Sequence, residues 1–432
     1  MNLTNTTQLK YWVPPNDSAA IFVGLLALVA WGSWANLLKL NKGHTRFEFF
    51  FLDYQAGACV ASILLALCFG TGGFTDGMTV GRFFAALVAG VVNTLGTLLV
   101  MASVELSGMT VVFPIVVGIE MTIGTSLLWM IEQKEAPGLL FTGVACAMVA
   151  VTFDYLSHSE IKADDDDGLG GTHGDGSSLS YSTLIVSDND FSTDLSELSR
   201  PYTFSTSSSP SKNSGHRGNQ HQHQQNPCSF MNDWTNKSRG LFLCVVAAMF
   251  FSLWPVLDAI STEGCAKDVH ASPYAFFVVF RVAAFIFTWM ISGCLDGLTG
   301  SSGGGGGGSG SGGGSGSGGE AHSKVTFHNY IHEIPRRSRM LGLTAGFIWG
   351  CGTLCSLVSG EVVGLSVSVT MTRCSPLVAT FWGVVVWGEA KGMNQKAKLY
   401  LGGMVVMYCL AIAFVAASAP DDSVPDGETG GC

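Results

Sequence analysis

AGVVNTLGTLLVMASVELSG at residues 89–108 and AGFIWGCGTLCSLVSGEVVG at residues 345–364 lie over one another without a gap. Eight of the twenty positions are identical: Ala89/Ala345, Gly90/Gly346, Gly96/Gly352, Thr97/Thr353, Leu98/Leu354, Ser103/Ser359, Glu105/Glu361 and Gly108/Gly364. Apolar bias raises chance matches between any two hydrophobic segments, but a shared Glu-x-x-Gly in one register is harder to obtain that way. The same register lays Ala86, Gly90 and Thr94 over Gly342, Gly346 and Gly350. That is a small-xxx-small face, which lets two helices approach closely.

Outward from these copies, apolar runs of about 20 residues recur, the length a helix needs to cross roughly 30 Å of hydrocarbon. They fall near 18–40, 51–70, 82–104, 110–131, 137–156, 240–260, 273–295, 341–360, 363–388 and 398–417, spans 1 to 10 in chain order. Backbone polar groups in such runs must be paired internally, which favours helices over a barrel. The two copies are spans 3 and 8, an odd separation, so equivalent helices cross in opposite directions. Trp34 and Trp254 also fall at similar positions along spans 1 and 6. The expected fold is therefore an all-α membrane protein, ten transmembrane helices in two inverted five-helix repeats. Such halves can rock about a site near the bilayer midplane, which suits a carrier more than a channel or receptor.

Composition agrees. Only 12% of residues are charged, against roughly 25% in soluble domains. Most of the acidic surplus behind the net charge of −10 sits in loops and tails, as at Asp164 to Asp167, Asp421, Asp422, Asp426 and Glu428. It describes those segments and offers no nucleic-acid surface. Of the twelve cysteines, nine lie in apolar runs, where a thiol behaves as a small hydrophobe; no disulfide framework or zinc spacing is read. The first apolar run is long enough to span and carries no small-residue cleavage site, so no cleavable signal peptide is expected.

The first repeat is expected at 18–156 and the second at 239–417, with tails at 1–17 and 418–432. Two polar stretches interrupt them. Residues 157–238 hold an Asp run, many Ser and Thr, and His216, His221 and His223; residues 296–338 hold a Gly/Ser tract from Gly300 to Gly319. Neither can bury enough apolar surface to offset its chain entropy, so both are expected to be disordered. The histidines can bind metal weakly, but a solvated low-complexity segment is the commoner case. No metal or other cofactor is expected.

Lys and Arg set orientation. One side collects sixteen: Lys39, Lys42 and Arg46 after span 1; Lys162, Arg200, Lys212, Arg217, Lys237 and Arg239 after span 5; Lys324, Arg336, Arg337 and Arg339 after span 7; Lys391, Lys396 and Lys398 after span 9. The other side has four: Lys10, Arg82, Lys134 and Lys267. Arg200, Lys212 and Arg217 lie deep in a long loop and orient little; without them the ratio is still thirteen to four. The termini are thus expected outside and both long loops in the cytosol, with the plasma membrane as location. Glycosylation sequons at Asn2, Asn5 and Asn16 agree with an outside N-terminus.

Polar groups inside spans mark pathways by default. Glu120 lies near the middle of span 4 and Arg373 somewhat over a third of the way into span 9, within a few ångströms in depth at about 1.5 Å per residue. A direct or water-bridged pair facing an aqueous cavity is the expectation; the alternative is that each pairs with backbone or water separately, or that Arg373 snorkels. Arg281 in span 7 and Asp258 near the end of span 6 form a second possible pair toward the outer side, where snorkelling explains them as well. Asp53 reads as an interfacial cap. Asn36 and Asn93 can donate and accept at once, which suits a heterocyclic amide, though Asn also joins helices. Trp31, Trp34, Trp254, Trp349 and Trp382 can stack on a planar solute; for any single one, packing or anchoring is commoner. Pro114, Pro255 and Pro376 free backbone carbonyls within spans 4, 6 and 9. All ten histidines are placed outside the spans, and there is no phosphate-binding GxxxxGK[ST] loop, so no enzyme is expected.

Several motifs resemble the ureide permeases of the drug/metabolite transporter superfamily. They are Leu52-Asp53-Tyr54, Gly124-Thr125-Ser126-Leu127, Gly143-Val144-Ala145-Cys146 and, most specific, Pro376-Leu377-Val378-Ala379-Thr380-Phe381-Trp382-Gly383-Val384-Val385 running on to Gly388-Glu389. The likeness covers spans 1–5 and 8–10. It implies a ten-helix carrier that imports allantoin, uracil and related oxo-derivatives of nitrogen heterocycles with protons, its partners being the lipid bilayer and a small-molecule solute. In the family pattern the positions of Glu120 and Arg373 are uncharged, a departure that points toward a charged or more polar solute. A nucleotide-sugar antiporter of the same superfamily is the runner-up, but it would want more basic residues than Arg373 and Arg281. Oligomeric state is left open.

Overall fold

The structure is a computed structural model that describes residues 11–41, 47–70, 77–107, 109–133, 135–168, 227–262, 271–300, 330, 334–388, 390 and 393–420. Among them there is no strand. Ten helical stretches are long and apolar enough to cross a membrane: Asp17–Leu40, Phe49–Phe69, Val80–Val100, Pro114–Glu132, Pro137–Glu160, Ser238–Thr262, Pro273–Ile291, Arg336–Val363, Leu365–Val386 and Gln395–Ala416. They are spans 1 to 10, each within a few residues of its expected place.

The polar stretches begin later than composition suggests. The span 5 helix runs Pro137–Gly168 and the span 6 helix Pro227–Thr262, so both ends of 157–238 are helical. Between Pro137-Gly138 and Gly168 the span 5 helix meets no proline and only Gly143, and polarity by itself does not stop a helix. His158 therefore falls inside span 5, correcting its placement in a loop; it lies 3.4 Å from Asp154 one turn earlier. Likewise the helix from Pro273 continues to Gly300, and span 8 begins at Arg336. Residues 169–226, most of the Gly/Ser tract, Asn2 and Asn5 lie outside the described residues.

Three spans are interrupted, each by a local cause. Span 1 passes from Asp17–Ser33 to Ala35–Leu40 through Trp34. Span 4 carries Pro114 within Met109–Ile119, then widens into a π-turn at Glu120–Gly124 before resuming at Thr125–Glu132. Span 9 breaks completely. Leu365–Thr372 ends at Arg373, Pro376 starts a second short helix to Phe381, and a π-turn follows at Trp382–Val386. Proline lacks the N–H that would reach the Thr372 carbonyl, and the Ser375 N–H takes that acceptor instead, at 3.1 Å. Such π-turns and breaks gather at functional sites because they re-aim side chains and expose backbone.

Lipid supplies no hydrophobic force between helices, so close packing has to hold them. Span 3 packs most closely on spans 6 and 7, span 8 on spans 1 and 2, and span 5 on span 10. The small-residue faces found in the sequence make two of these contacts. A Cβ at Gly90 would collide with the Phe280 carbonyl of span 7, and one at Gly346 with the Tyr54 carbonyl of span 2.

The segment before span 1 lies across the ends of its neighbours: the Trp12 N–H donates to the Phe69 carbonyl at 3.1 Å, and the Tyr274 hydroxyl to the Trp12 carbonyl at 2.9 Å. Asn16 accepts from the Ala19 N–H at 2.9 Å and caps span 1. At the opposite end Tyr330 donates its hydroxyl to the Asp53 carboxylate, while Arg339 donates to the Tyr330 carbonyl at 2.8 Å. Burial and the Asp53 hydrogen bond push the Tyr330 phenol well above its ordinary pKa. Asp53 is 1% exposed within the helix Phe47–Phe69. It is a buried acceptor for a loop tyrosine, and the interfacial cap read from sequence is not what it forms.

Candidate functional site

Glu120 and Arg373 meet. Glu120 opens the π-turn of span 4, Arg373 closes the outer half of span 9, and the Glu120 carboxylate accepts directly from the Arg373 guanidinium. Glu120 is 6% exposed, which makes the contact a buried ion pair between the halves. Thr125, a turn further along span 4, is 2.7 Å from the Thr370 hydroxyl of span 9 and holds the two interrupted helices together.

Aromatic rings enclose the guanidinium. Its central carbon lies 4.9 Å from the Trp31 ring centroid and 5.9 Å from that of Trp254. Trp31 stacks on Trp349 at 5.5 Å and 14°, and its indole N–H donates to the Thr353 hydroxyl at 3.3 Å. Trp254 stacks on Phe280 at 5.4 Å and 26°. Between Trp349 and Phe280 sits a second guanidinium, that of Arg281, 4.1 Å and 4.0 Å from their centroids. The six side chains close a ring: Arg373, Trp31, Trp349, Arg281, Phe280, Trp254. Spans 1, 6, 7, 8 and 9 contribute to it, and Glu120 joins it from span 4. Tyr54 extends it outward, 6.0 Å from Trp349 and 5.1 Å from Trp34.

Arg281 does not pair with Asp258. One of its terminal nitrogens donates to the Gln55 side chain at 3.3 Å, and Gln55 in turn lies 3.5 Å from the Thr288 hydroxyl. Nor is Arg281 near an interface, since span 7 runs from Pro273 to Ile291 and places it at the middle. Snorkelling cannot account for a guanidinium that is 1% exposed at that depth.

Other sequence candidates lie elsewhere. Asn36 accepts from the Trp387 indole at 2.8 Å and donates to the Ser33 carbonyl at 3.0 Å. Trp382 donates to the Ser33 hydroxyl at 2.9 Å. Both therefore fasten span 9 to the bend of span 1. Trp382 also lines an apolar cleft of about 700 Å³ with Val29, Leu377, Phe381 and Leu401, a lining that includes neither arginine of the ring. Asn93 is buried on span 3, where its carbonyl accepts from Thr97 at 3.0 Å. Glu132 was not singled out in the sequence. Its carboxylate accepts from the Leu365 and Ser366 N–H groups, both at 2.9 Å, and from the Ser366 hydroxyl at 3.0 Å.

The whole span set resembles known transporters. The profile of the ureide permease family matches residues 50–295 and 320–418. The chain belongs to the ureide permease family. The match runs through spans 6 and 7, which the motif resemblance did not reach. Ureide permease 2 of Arabidopsis thaliana is 26% identical over 440 residues, covering 94% of this chain and 98% of that protein. Ureide permease 4 of the same plant is 23% identical over 426 residues, covering 94% and 99%. The Probable glucose uptake protein GlcU of Staphylococcus aureus (strain MRSA252) is 28% identical over 81 residues, 19% of this chain and 28% of that one. Members of the ureide permease family are membrane transporters, and this chain is a multi-pass transporter rather than an enzyme.

Proposed function

We propose that the protein is a proton-coupled secondary carrier of the plasma membrane that imports small polar nitrogen heterocycles, with allantoin, uracil and related ureides as the solutes to try first. The observation that carries the reading is the buried Glu120–Arg373 pair, formed where two interrupted helices meet and walled by indoles. Planar rings with N–H and C=O edges need both a stacking face and polar partners, and this site offers both. The names of the Arabidopsis relatives support ureides as the solute class.

Alternating access follows from the two-fold plan. Exchanging the halves takes the contact of span 3 with span 7 into that of span 8 with span 2, and the contact with span 6 into that with span 1. This supports the inverted repeat read from the sequence. A pair bridging the halves can close the path when formed and leave Glu120 free to take a proton when broken. Ion pairs inside membranes serve such relays elsewhere.

Counterflow in proteoliposomes tests the reading: a carrier exchanges labelled for unlabelled uracil or allantoin, and a channel or receptor does not. Glu120→Gln should abolish accumulation driven by a proton gradient while sparing exchange. If that variant still concentrates solute, proton coupling through Glu120 is wrong. The orientation has its own check, since tags at either terminus should be readable on intact cells and a tag at residue 200 should not.

A further inference from the structure

The ring holds two guanidiniums and one carboxylate. Arginine remains protonated in proteins, so with the Glu120–Arg373 pair intact one positive charge is left over, on Arg281. Its surroundings do not neutralise it. Gln55 is an uncharged partner for one nitrogen, and Phe280 and Trp349 offer only the faces of their rings. The Nε and second terminal nitrogen of Arg281 are buried and make no hydrogen bond. These two N–H groups form the side-on fork of the guanidinium, the edge whose spacing matches a carboxylate.

A buried polar group without a partner is costly, and a fixed protein rarely keeps one without a use. Packing alone would have been served as well by an apolar side chain. Position argues the same way. Arg281 lies at mid-span in the ring of stacked indoles, and the ring's other guanidinium already has its carboxylate.

We propose that the solute carried by this transporter is an anion: a planar ureide or related nitrogen compound bearing a carboxylate, which the free fork of Arg281 takes while the body of the solute lies against Trp349 and Phe280. The inference rests on the transport reading above and names the solute class within it. A neutral heterocycle would leave the second fork nitrogen and the excess charge unanswered.

Hydantoin and N-carbamoylglycine test it, because they share the ureide group and differ by ring closure, one neutral and the other a carboxylate at pH 7. Counterflow is measured for each, and for uracil and allantoin, with the full-length protein in proteoliposomes at equal protein content. The expected result is transport efficiency at least tenfold higher for N-carbamoylglycine than for hydantoin. Arg281→Gln should reduce that ratio at least tenfold, and Arg281→Lys should restore part of it, since the charge returns without the fork. Equal or better transport of hydantoin by the wild-type protein overturns the inference without any variant having to fold. So does an Arg281→Gln protein that loses both solutes in equal proportion. If uracil or allantoin exchanges and N-carbamoylglycine does not, the anion inference fails and the carrier reading stands. If none of the four exchanges, the carrier reading fails and takes the inference with it.

Discussion

Glu132 and Ser366 belong to different halves of the chain, and the carboxylate of the first caps the helix that begins beside the second. It accepts from the Ser366 N–H at 2.9 Å, from its hydroxyl at 3.0 Å, and from the preceding Leu365 N–H at 2.9 Å. Helix N-termini carry unpaired N–H groups and partial positive charge, so a carboxylate there is doubly favoured. The contact ties the end of span 4 to the start of span 9 on the face shared with both chain termini. Gly364 makes the turn possible with φ of +89°, a conformation that L side chains rarely adopt.

Glu132→Ala should loosen that closure. The lost cap is worth ~1–2 kcal/mol, or roughly 5–30-fold in the closed-to-open ratio. A cysteine placed at Leu365 should then react correspondingly faster with a membrane-impermeant maleimide added outside. Unchanged labelling would show that the cap holds a helix end and gates nothing.

Charge exchange tests the central pair. Breaking a buried pair by removing one partner costs about 3–5 kcal/mol, so Glu120→Arg and Arg373→Glu should each lower the thermal stability of the purified protein markedly. The double variant should recover more than half of the loss. A double variant no better than the singles would mean that the two side chains are not coupled.

Gly346→Val drives a side chain into the backbone of span 2 at Tyr54. Overpacking of this kind typically costs ~1–3 kcal/mol, and here the obstacle is a carbonyl that cannot rotate away. The folded, monodisperse fraction should fall sharply on size-exclusion chromatography. Gly402→Ala, where an added Cβ meets nothing within 4 Å, should behave like the wild-type protein. Equal behaviour of the two variants would refute the close approach of spans 2 and 8.

Tyr330→Phe removes the hydroxyl donated to Asp53. The carboxylate is buried and its second oxygen has no hydrogen-bond partner, so losing the first should cost about 1–3 kcal/mol. Trypsin cleavage after Arg336 or Arg337 in detergent should accelerate several-fold. An unchanged rate would mean that Tyr330 does not anchor the entry to span 8.

The ten spans were legible because length and apolarity are properties of contiguous residues. The Glu120–Arg373 pair was legible too, since two charges at one depth in a low-dielectric slab have few alternatives. Rotation about each helix axis was not. Arg281 was assigned to Asp258 because both were polar and neighbouring in sequence order, whereas helix rotation aims Arg281 at Gln55 and two aromatic faces. Trp31 and Trp349 stood among five tryptophans that could stack, and only the packing of span 1 on span 8 brings those two together. Asn36 and Trp382 have the polarity expected of a solute site, but they are used up fastening span 9 to the bend of span 1. The π-turns have no sequence signature beyond a nearby proline, so the aim of Glu120 could not be read in advance.

Span 9 carries its charge at a joint. An unbroken helix is a stiff rod, and a tilt applied at one end sweeps every residue along it in proportion to distance. At Cys374 and Ser375 the backbone bonds shorten to i−3 acceptors, and Pro376 donates none. The two short pieces can therefore swing against one another about Arg373. A charge at a pivot travels least while the arms on either side travel most. The ion pair is thus placed where a long stroke at the membrane faces becomes a small rotation of one side chain, a lever ratio set by where the proline falls in the chain.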